Sequence, residues 1–231
     1  MTPQQDARLL LLSSSSTPAG YLTEYLEDIR EFITGVRRAV FVPFAAVRLP
    51  WNEYAKKAAE AIGFPLLSID HLDKAELIVV GGGNTFQLLR ECRTRGLLEK
   101  MRASVLEGRA KYLGWSAGAN LACPTIRTTN DMPIVDPGGL GALGLVRFQI
   151  NAHYVNVVLP GHHGETRDQR LAEFAYANPQ PVIALPEGAW LRVSGRAVEL
   201  RGRHAATLFC GEEPPRRVEP GMVPPPISDK L

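Results

Sequence analysis

The sequence predicts an α/β protein whose mostly parallel sheet is doubly wound, with helices on both faces. Three observations carry this. Short apolar runs alternate with segments of helical period in the first half of the chain. The runs are apolar along nearly their whole length, as expected for strands buried on both faces rather than one. Glycine-rich turns lie between two of these runs and the helices that follow them, as in α/β units with sites at the carboxyl ends of the strands.

Leu9–Leu12 is the first strand, followed by a serine-rich loop, Ser13 to Ser16, and a helix from about Tyr21. Ala39–Phe44 is the second strand. Trp51–Ile62 has helical spacing, with Tyr54, Ala58 and Ile62 on one face. Pro65–Ile69 and Ala75–Val80 are the third and fourth strands, and helices follow over Thr85–Cys92 and Leu97–Leu106. Ala110–Trp115 is the next strand, and Ala117–Leu121 starts a helix. The second half is less regular. Gly138 to Gly144 holds four glycines and is a loop; Arg147–Ile150 and Pro181–Leu185 are strands. Trp190–Val193 and Ala197–Leu200, joined around Ser194-Gly195, form a hairpin. From about Glu212 the chain carries six prolines and is expected to run as an extended surface tail. No internal repeat or linker divides the 231 residues, so a single domain over 1–231 is expected.

Composition narrows the function classes. Hydrophobic residues are 45% and charged residues 22%, with a net charge of +2 and no Lys/Arg block of the kind that marks a nucleic-acid footprint. No apolar run approaches the ~20 residues that span a bilayer. Arg8 before four leucines imitates a signal peptide only loosely, because the run is shorter than an apolar export core of ~7–15 residues. A cytoplasmic location is the expectation. Cys92, Cys123 and Cys210 are too far apart for metal-type spacing or a disulfide framework.

Gly114-Trp115-Ser116-Ala117-Gly118 has the pattern of a nucleophile elbow. A sharp strand–turn–helix lifts the serine hydroxyl clear of the sheet, and small neighbours let the backbone turn. The Ala117 N–H then faces a developing oxyanion at a helix N-terminus. Gly81-Gly82-Gly83-Asn84 also lies between a strand and a helix. It lacks the Lys-Ser/Thr of a phosphate loop and the spacing of a dinucleotide loop. It suits a second oxyanion donor, Gly83 N–H, or simply a tight turn. Asn84 is a substrate-binding candidate beside it.

A serine nucleophile needs a base. His153 stands just beyond a strand, in Gln149-Ile150-Asn151-Ala152-His153-Tyr154; His162 and His163 in a glycine-flanked loop are alternatives. The base needs an orienting acid. Glu187, in Leu185-Pro186-Glu187-Gly188, and Asp131, in Thr129-Asn130-Asp131-Met132-Pro133, both qualify. Ser116–Asp131–His153 follows the chain order of α/β-hydrolases, whereas Ser116–His153–Glu187 implies a different fold.

Taken together, the stretches VGGGNTFQLLRE, YLGWSAGANLACPTIRTTNDMPIVDP, QINAHY, GETRDQR and LPEGAW resemble the peptidase E, or α-aspartyl dipeptidase, family. They run in family order from about Leu9 to Gly211. The resemblance implies a flavodoxin-like sheet akin to class I glutamine amidotransferases, with serine in place of cysteine, and a Ser-His-Glu hydrolase. Carried over by motif, the serine is Ser116, the histidine His153 and the glutamate Glu187, with Asp131 also needed for activity. The implied activity is cleavage of Asp-Xaa dipeptides with a free N-terminal aspartate, through an acyl-enzyme and without metal or other cofactor. The partner is thus a small peptide, and the enzyme a monomer or homodimer that binds neither nucleic acid nor membrane. A cation must then hold the aspartate side chain. Arginine suits this, since its fork grips a carboxylate at two points, and Arg167 in Gly164-Glu165-Thr166-Arg167 is favoured over Arg127 because it follows His153 in a loop expected to border the site. There are departures. Ala152 stands where the family usually has proline, Gly63 to Lys74 is shorter than usual, and the proline-rich tail is unfamiliar. A cyanophycinase-like β-aspartyl peptidase and a non-catalytic binding protein are the other readings of the same residues.

Overall fold

Leu9, Leu10, Leu11 and Leu12 are all fully buried, with Leu9 and Leu11 facing one apolar cluster and Leu10 and Leu12 another. A strand turns successive side chains to opposite faces, so β1 (Arg8–Leu12) must have cover on both sides. In this computed structural model, which describes residues 7–157, 161 and 163–223, that cover comes from five helices.

After β1 come two short strands, β2 (Ser16–Thr17) and β3 (Gly20–Tyr21), then α1 (Leu26–Phe32), β4 (Ala39–Val42) and α2 (Trp51–Ile62). They are followed by β5 (Leu66–Leu67), β6 (Leu77–Val80), α3 (Thr85–Thr94), α4 (Leu97–Leu106), β7 (Lys111–Trp115) and α5 (Ala117–Leu121). The faces of α1 and α2 that carry Ile29, Phe32, Tyr54, Ala58 and Ile62 cover one side of the sheet. Leu88, Leu89 and Cys92 of α3, Met101 and Val105 of α4 and Leu121 of α5 cover the other. The expected helix from Tyr21 starts instead at Leu26. Gly20 and Leu22 both have positive φ, 122° and 59°, which turns the chain through β2–β3 and a short 3₁₀ turn first. The second strand stops at Val42, because Pro43 has no N–H to continue a ladder.

The second half is more regular than the sequence suggested. It contributes β8 (Gln149–Asn151), α6 (Arg167–Ala177), β9 (Val182–Ala184), β10 (Ala189–Ser194), β11 (Ala197–Gly202), β12 (Ala206–Phe209), β13 (Arg216–Val218) and β14 (Gly221–Met222). The main sheet has the order β14-β11-β10-β1-β7-β6-β4-β5, parallel from β1 to β5 and antiparallel through the β10–β11 hairpin. A second sheet, β13-β12-β9-β8, pairs β8 and β9 in parallel. The expected surface tail is therefore partly woven in, since β13 and β14 pair with β12 and β11 respectively.

The two sheets meet at Ser13, the first residue beyond β1. Its backbone N–H donates to Ala189 O, 3.1 Å away, at the start of β10. Its fully buried hydroxyl donates to Leu185 O at 2.8 Å, just past β9, and accepts the His153 N–H at 2.9 Å, just past β8. A buried donor or acceptor left without its partner costs about 1–3 kcal/mol. Ser13→Ala should therefore lower the free energy of unfolding by about that amount. Urea denaturation should show an earlier midpoint at unchanged slope; a midpoint equal to that of the unsubstituted protein would mean the junction does not depend on this hydroxyl.

Candidate active site

Tight packing forces the backbone turn at the end of β7. A Cβ on Gly114 would lie 2.6 Å from Gly118 O, and one on Gly118 would lie 2.3 Å from Val80 O. Only glycines let α5 begin this close to β6 and β7. Between them Ser116 is held at φ 53°, ψ −114°, a region that costs a non-glycine residue about 1–3 kcal/mol. Its N–H donates to Leu12 O at 3.0 Å. The Ala117 N–H, first of α5, has no acceptor within the helix.

The Gly81-Gly82-Gly83 run beyond β6 presses against this turn. A Cβ on Gly82 would come within 3.1 Å of Ser116 Cβ and 2.9 Å of Trp115 Cδ1. Gly83 has φ 138°, and a Cβ there would meet Ala45 O at 2.2 Å. The Gly83 N–H has no acceptor among the described residues, while the next one, of Asn84, donates to Ala45 O. Among the described residues, neither the Ala117 N–H nor the Gly83 N–H has an acceptor, and the turns that carry them pack against each other at Ser116.

The second sheet brings the other partners. His153 and Glu187 follow β8 and β9, whose register aligns Asn151 with Ala184. His153 Nε2 lies 2.9 Å from Ser116 Oγ, and its Nδ1 lies 2.8 Å from Glu187 Oε1. Both side chains are about half exposed. His153 also has positive φ, 52°, fixed by the bond from its N–H to Ser13. Glu187 sits in a tight turn closed by the Ala189 N–H donating to Pro186 O, with Gly188 at φ 75° in the third position. That is a type II turn, where the third residue needs positive φ. The Gly188 N–H donates to the buried Tyr25 hydroxyl at 3.2 Å, and Tyr25 in turn pairs with Ser14. Ser13, Ser14 and Tyr25 hold this turn and the histidine. The sequence offered only a serine-rich loop as their signal.

Asp131 lies elsewhere. Its Oδ2 accepts the Thr85 N–H at 2.7 Å and the Thr85 hydroxyl at 2.5 Å, with Thr129 Oγ1 at 3.1 Å. It therefore ties its loop to the N-terminus of α3. Asn84 caps that helix by accepting the Gln87 N–H, and its amide donates to Met132 O. Arg127 and Arg167 both line a cavity of about 290 Å³, together with Arg170, Thr129, Asn130 and Asn151. Ser116 and His153 are not among its walls, but Asn130 donates to the carbonyl of Ala152, next to His153. Arg127 is bonded to Asn178 and Arg170 pairs with Glu165, whereas Arg167 has no ion pair among the described residues. Burial first, then the neighbouring Arg170, holds the Arg167 pKa below the usual guanidinium value. Tyr154, beside His153, donates to Asp168 on the next position of α6. Of the alternative histidines, His163 makes no hydrogen bond with Ser116, and His162 lies outside the described residues.

Comparison with known proteins identifies the family. The model of peptidase family S51 matches residues 9–201. Peptidase E of Salmonella heidelberg is 50% identical over 218 residues, covering 89% of this chain and 95% of the relative, and peptidase E of Salmonella typhimurium matches to the same extent. A crystal structure of a protein from Listeria monocytogenes EGD-e superposes with TM-score 0.63 at 22% identity, over 86% of this chain and 99% of that one. A peptidase from an acI-B1 Actinobacterium does so with TM-score 0.63 at 15% identity, over 95% and 96%. At these identities the two structures speak for the fold, an α/β sheet flanked by helices, while the family match and the 50% identical relatives speak for the chemistry: the chain belongs to peptidase family S51 and is a peptidase.

Proposed function

We propose that the protein is a serine-type dipeptidase that hydrolyses Asp-Xaa dipeptides bearing a free N-terminal aspartate. The observation that carries this reading is the unbroken chain from Ser116 Oγ through His153 to Glu187, with contacts of 2.9 and 2.8 Å. In it, His153 Nε2 takes the Ser116 proton as Oγ attacks the aspartyl carbonyl, then delivers it to the leaving amine. Glu187 holds the proton on Nδ1 and stabilises the imidazolium that forms. The N–H groups of Ala117 and Gly83 receive the oxyanion. Water, activated by His153, then releases aspartate from the acyl-enzyme. Asp131 acts at one remove in this scheme, by fixing its loop to the start of α3, next to the Gly83 turn. Arg167, half-buried on the cavity wall with no ion pair of its own among the described residues, takes the aspartate side chain. Among the described residues no helix is long and apolar enough to cross a membrane; the proposal places the enzyme in the cytoplasm, as a monomer or homodimer.

Ser116→Ala should leave a folded protein without turnover. Glu187→Gln should lower kcat by about 10²–10⁴ with KM little changed, because the imidazole loses its orientation but the substrate contacts remain. Asp131→Asn is the comparison, and if it alone lowers kcat while Glu187→Gln does not, the orienting acid has been misassigned.

Specificity gives a separate test. A half-buried arginine deprived of its carboxylate partner is costly, so Asn-Leu should be cleaved about a hundredfold or more slowly than Asp-Leu in kcat/KM. Glu-Leu keeps the charge but adds a methylene, and should fail by steric fit, worth about 1–3 kcal/mol. Arg167→Met should bring the Asp/Asn ratio towards one; an unchanged ratio passes the role to Arg127, the other candidate on the cavity wall. Turnover of β-Asp-Leu in preference to α-Asp-Leu would replace the reading with a β-aspartyl peptidase.

A further inference from the structure

Trp115 and Gly82 flank the two oxyanion donors, and one side chain joins them. The Tyr54 hydroxyl lies 3.0 Å from Trp115 Nε1 and 3.1 Å from Gly82 O. An indole N–H can only donate. Tyr54 Oη must therefore accept from Trp115, and its single proton is free to go to the Gly82 carbonyl. Burial, with Tyr54 beside it, holds the Tyr21 phenol above its usual pKa, and the Tyr21 hydroxyl makes no hydrogen bond of proper geometry among the described residues. Burial holds the Tyr54 phenol above its usual pKa, so the proton is present throughout the working range.

Gly82 C=O and Gly83 N–H belong to one peptide unit. A donor on that oxygen fixes the plane of the peptide and so the direction in which the Gly83 N–H points. It also draws electron density from the amide, which makes the N–H a stronger donor, since linked hydrogen bonds polarise one another. The fit around Tyr54 is close: a Cβ on Gly81 would stand 2.7 Å from its ring and hydroxyl. The ring is held edge-on to Phe41, with centroids 5.1 Å apart, and the residue is almost wholly buried. The same hydroxyl is bonded to the residue before Ser116, so both halves of the oxyanion site are referenced to one atom.

We propose that Tyr54 is a positioning residue for the oxyanion hole, with its hydroxyl orienting and polarising the Gly82–Gly83 peptide. The inference rests on the reading of Gly83 N–H as an oxyanion donor. At 3.1 Å the Tyr54–Gly82 bond is long for a hydroxyl donor, and it has room to shorten when negative charge arrives on the far side of the peptide.

The test uses Asp-Leu as substrate and, as a tetrahedral probe, the boronic-acid analogue of aspartate, in which B(OH)₂ replaces the main-chain carboxyl. Tyr54→Phe removes one oxygen atom and keeps the ring. It should lower kcat by about ten- to a hundredfold, less than outright loss of an oxyanion donor, with KM within about twofold. Affinity for the boronate should fall by the same factor as kcat/KM, which a merely structural role for the ring would not produce. In unsubstituted protein carrying [¹³Cζ]tyrosine and ¹⁵N-glycine, boronate binding should shift the Gly83 amide proton downfield and move the Tyr54 Cζ resonance with it. This measurement stands even if the variant folds poorly. A Gly83 amide that shifts while Tyr54 Cζ stays still, or a Tyr54→Phe enzyme with unchanged kcat and boronate affinity, would overturn the role of Tyr54 and leave the oxyanion reading intact. A Gly83 amide that does not respond to the boronate would instead overturn the oxyanion reading, and this inference with it.

Discussion

The hydroxyl of Ser13 is the point on which the geometry of the site turns. Ser116 follows a strand of the main sheet, and His153 lies just past a strand of the second sheet. Their contact at 2.9 Å has meaning only if the two sheets keep a fixed offset. The covalent link between them at this point is the four-residue connection from β9 to β10, which contains Glu187. Ser13 pins both ends of the arrangement at once: its N–H is bonded to Ala189, and its hydroxyl to Leu185 and His153. A hydroxyl suits this position because it can donate and accept in different directions with little bulk.

Around that junction the structure tolerates strain. Ser116 and His153, the proposed nucleophile and base, both have positive φ, as Leu22 does. Such backbone costs about 1–3 kcal/mol per residue and persists only where the surroundings leave no alternative. Here they leave none. Gly114 and Gly118 are packed against each other and against Val80, and Trp115 is fully buried with its indole bonded to Tyr54. The His153 amide is held by a residue 140 positions earlier in the chain. The strained residues are local; the contacts that hold them come mainly from distant parts of the sequence.

This separation explains what could be read from the sequence. The parallel half of the main sheet was legible because β1, β4, β6 and β7 are continuous apolar runs, and α2, α4 and α5 match the spacing of their apolar residues. The elbow was legible because its residue pattern lies within five positions, Gly114 to Gly118, even though distant contacts hold it. Of the second sheet, β8 and β9 were legible as the apolar runs Arg147–Ile150 and Pro181–Leu185, but β12, β13 and the pairing of the four into a separate sheet were not, because these strands are three or four residues long and carry little period. The helix α6 was missed although Thr166 and Gln169 form a capping box at its start, a signal the sequence did contain. Tyr54 was placed correctly on the buried face of its helix, but its hydroxyl bonds to residues 28 and 61 positions away, and helical spacing says nothing about those. Asn84, a substrate-binding candidate by its place beside the glycine run, has both ends of its amide bonded, one to the Gln87 N–H of α3 and one to Met132 O in the Asp131 loop, and the second partner does not show in local sequence.

The order of the proposed catalytic residues along the chain follows from topology. In this fold the acid comes after the base because β9 lies parallel to β8 and beside it. Two parallel neighbours end at the same edge, so the first residues beyond them are brought together however long the connection between the strands. With Asn151 aligned to Ala184, His153 and Glu187 fall two and three residues past the pair, close enough for the imidazole to reach the carboxylate. The acid could have come before the base only if the strands had been laid down in the opposite order. What chemistry requires is the edge, a row of strand ends on which a nucleophile, a base and an acid can be set a few ångströms apart, and any chain order that delivers three such residues to that edge would serve.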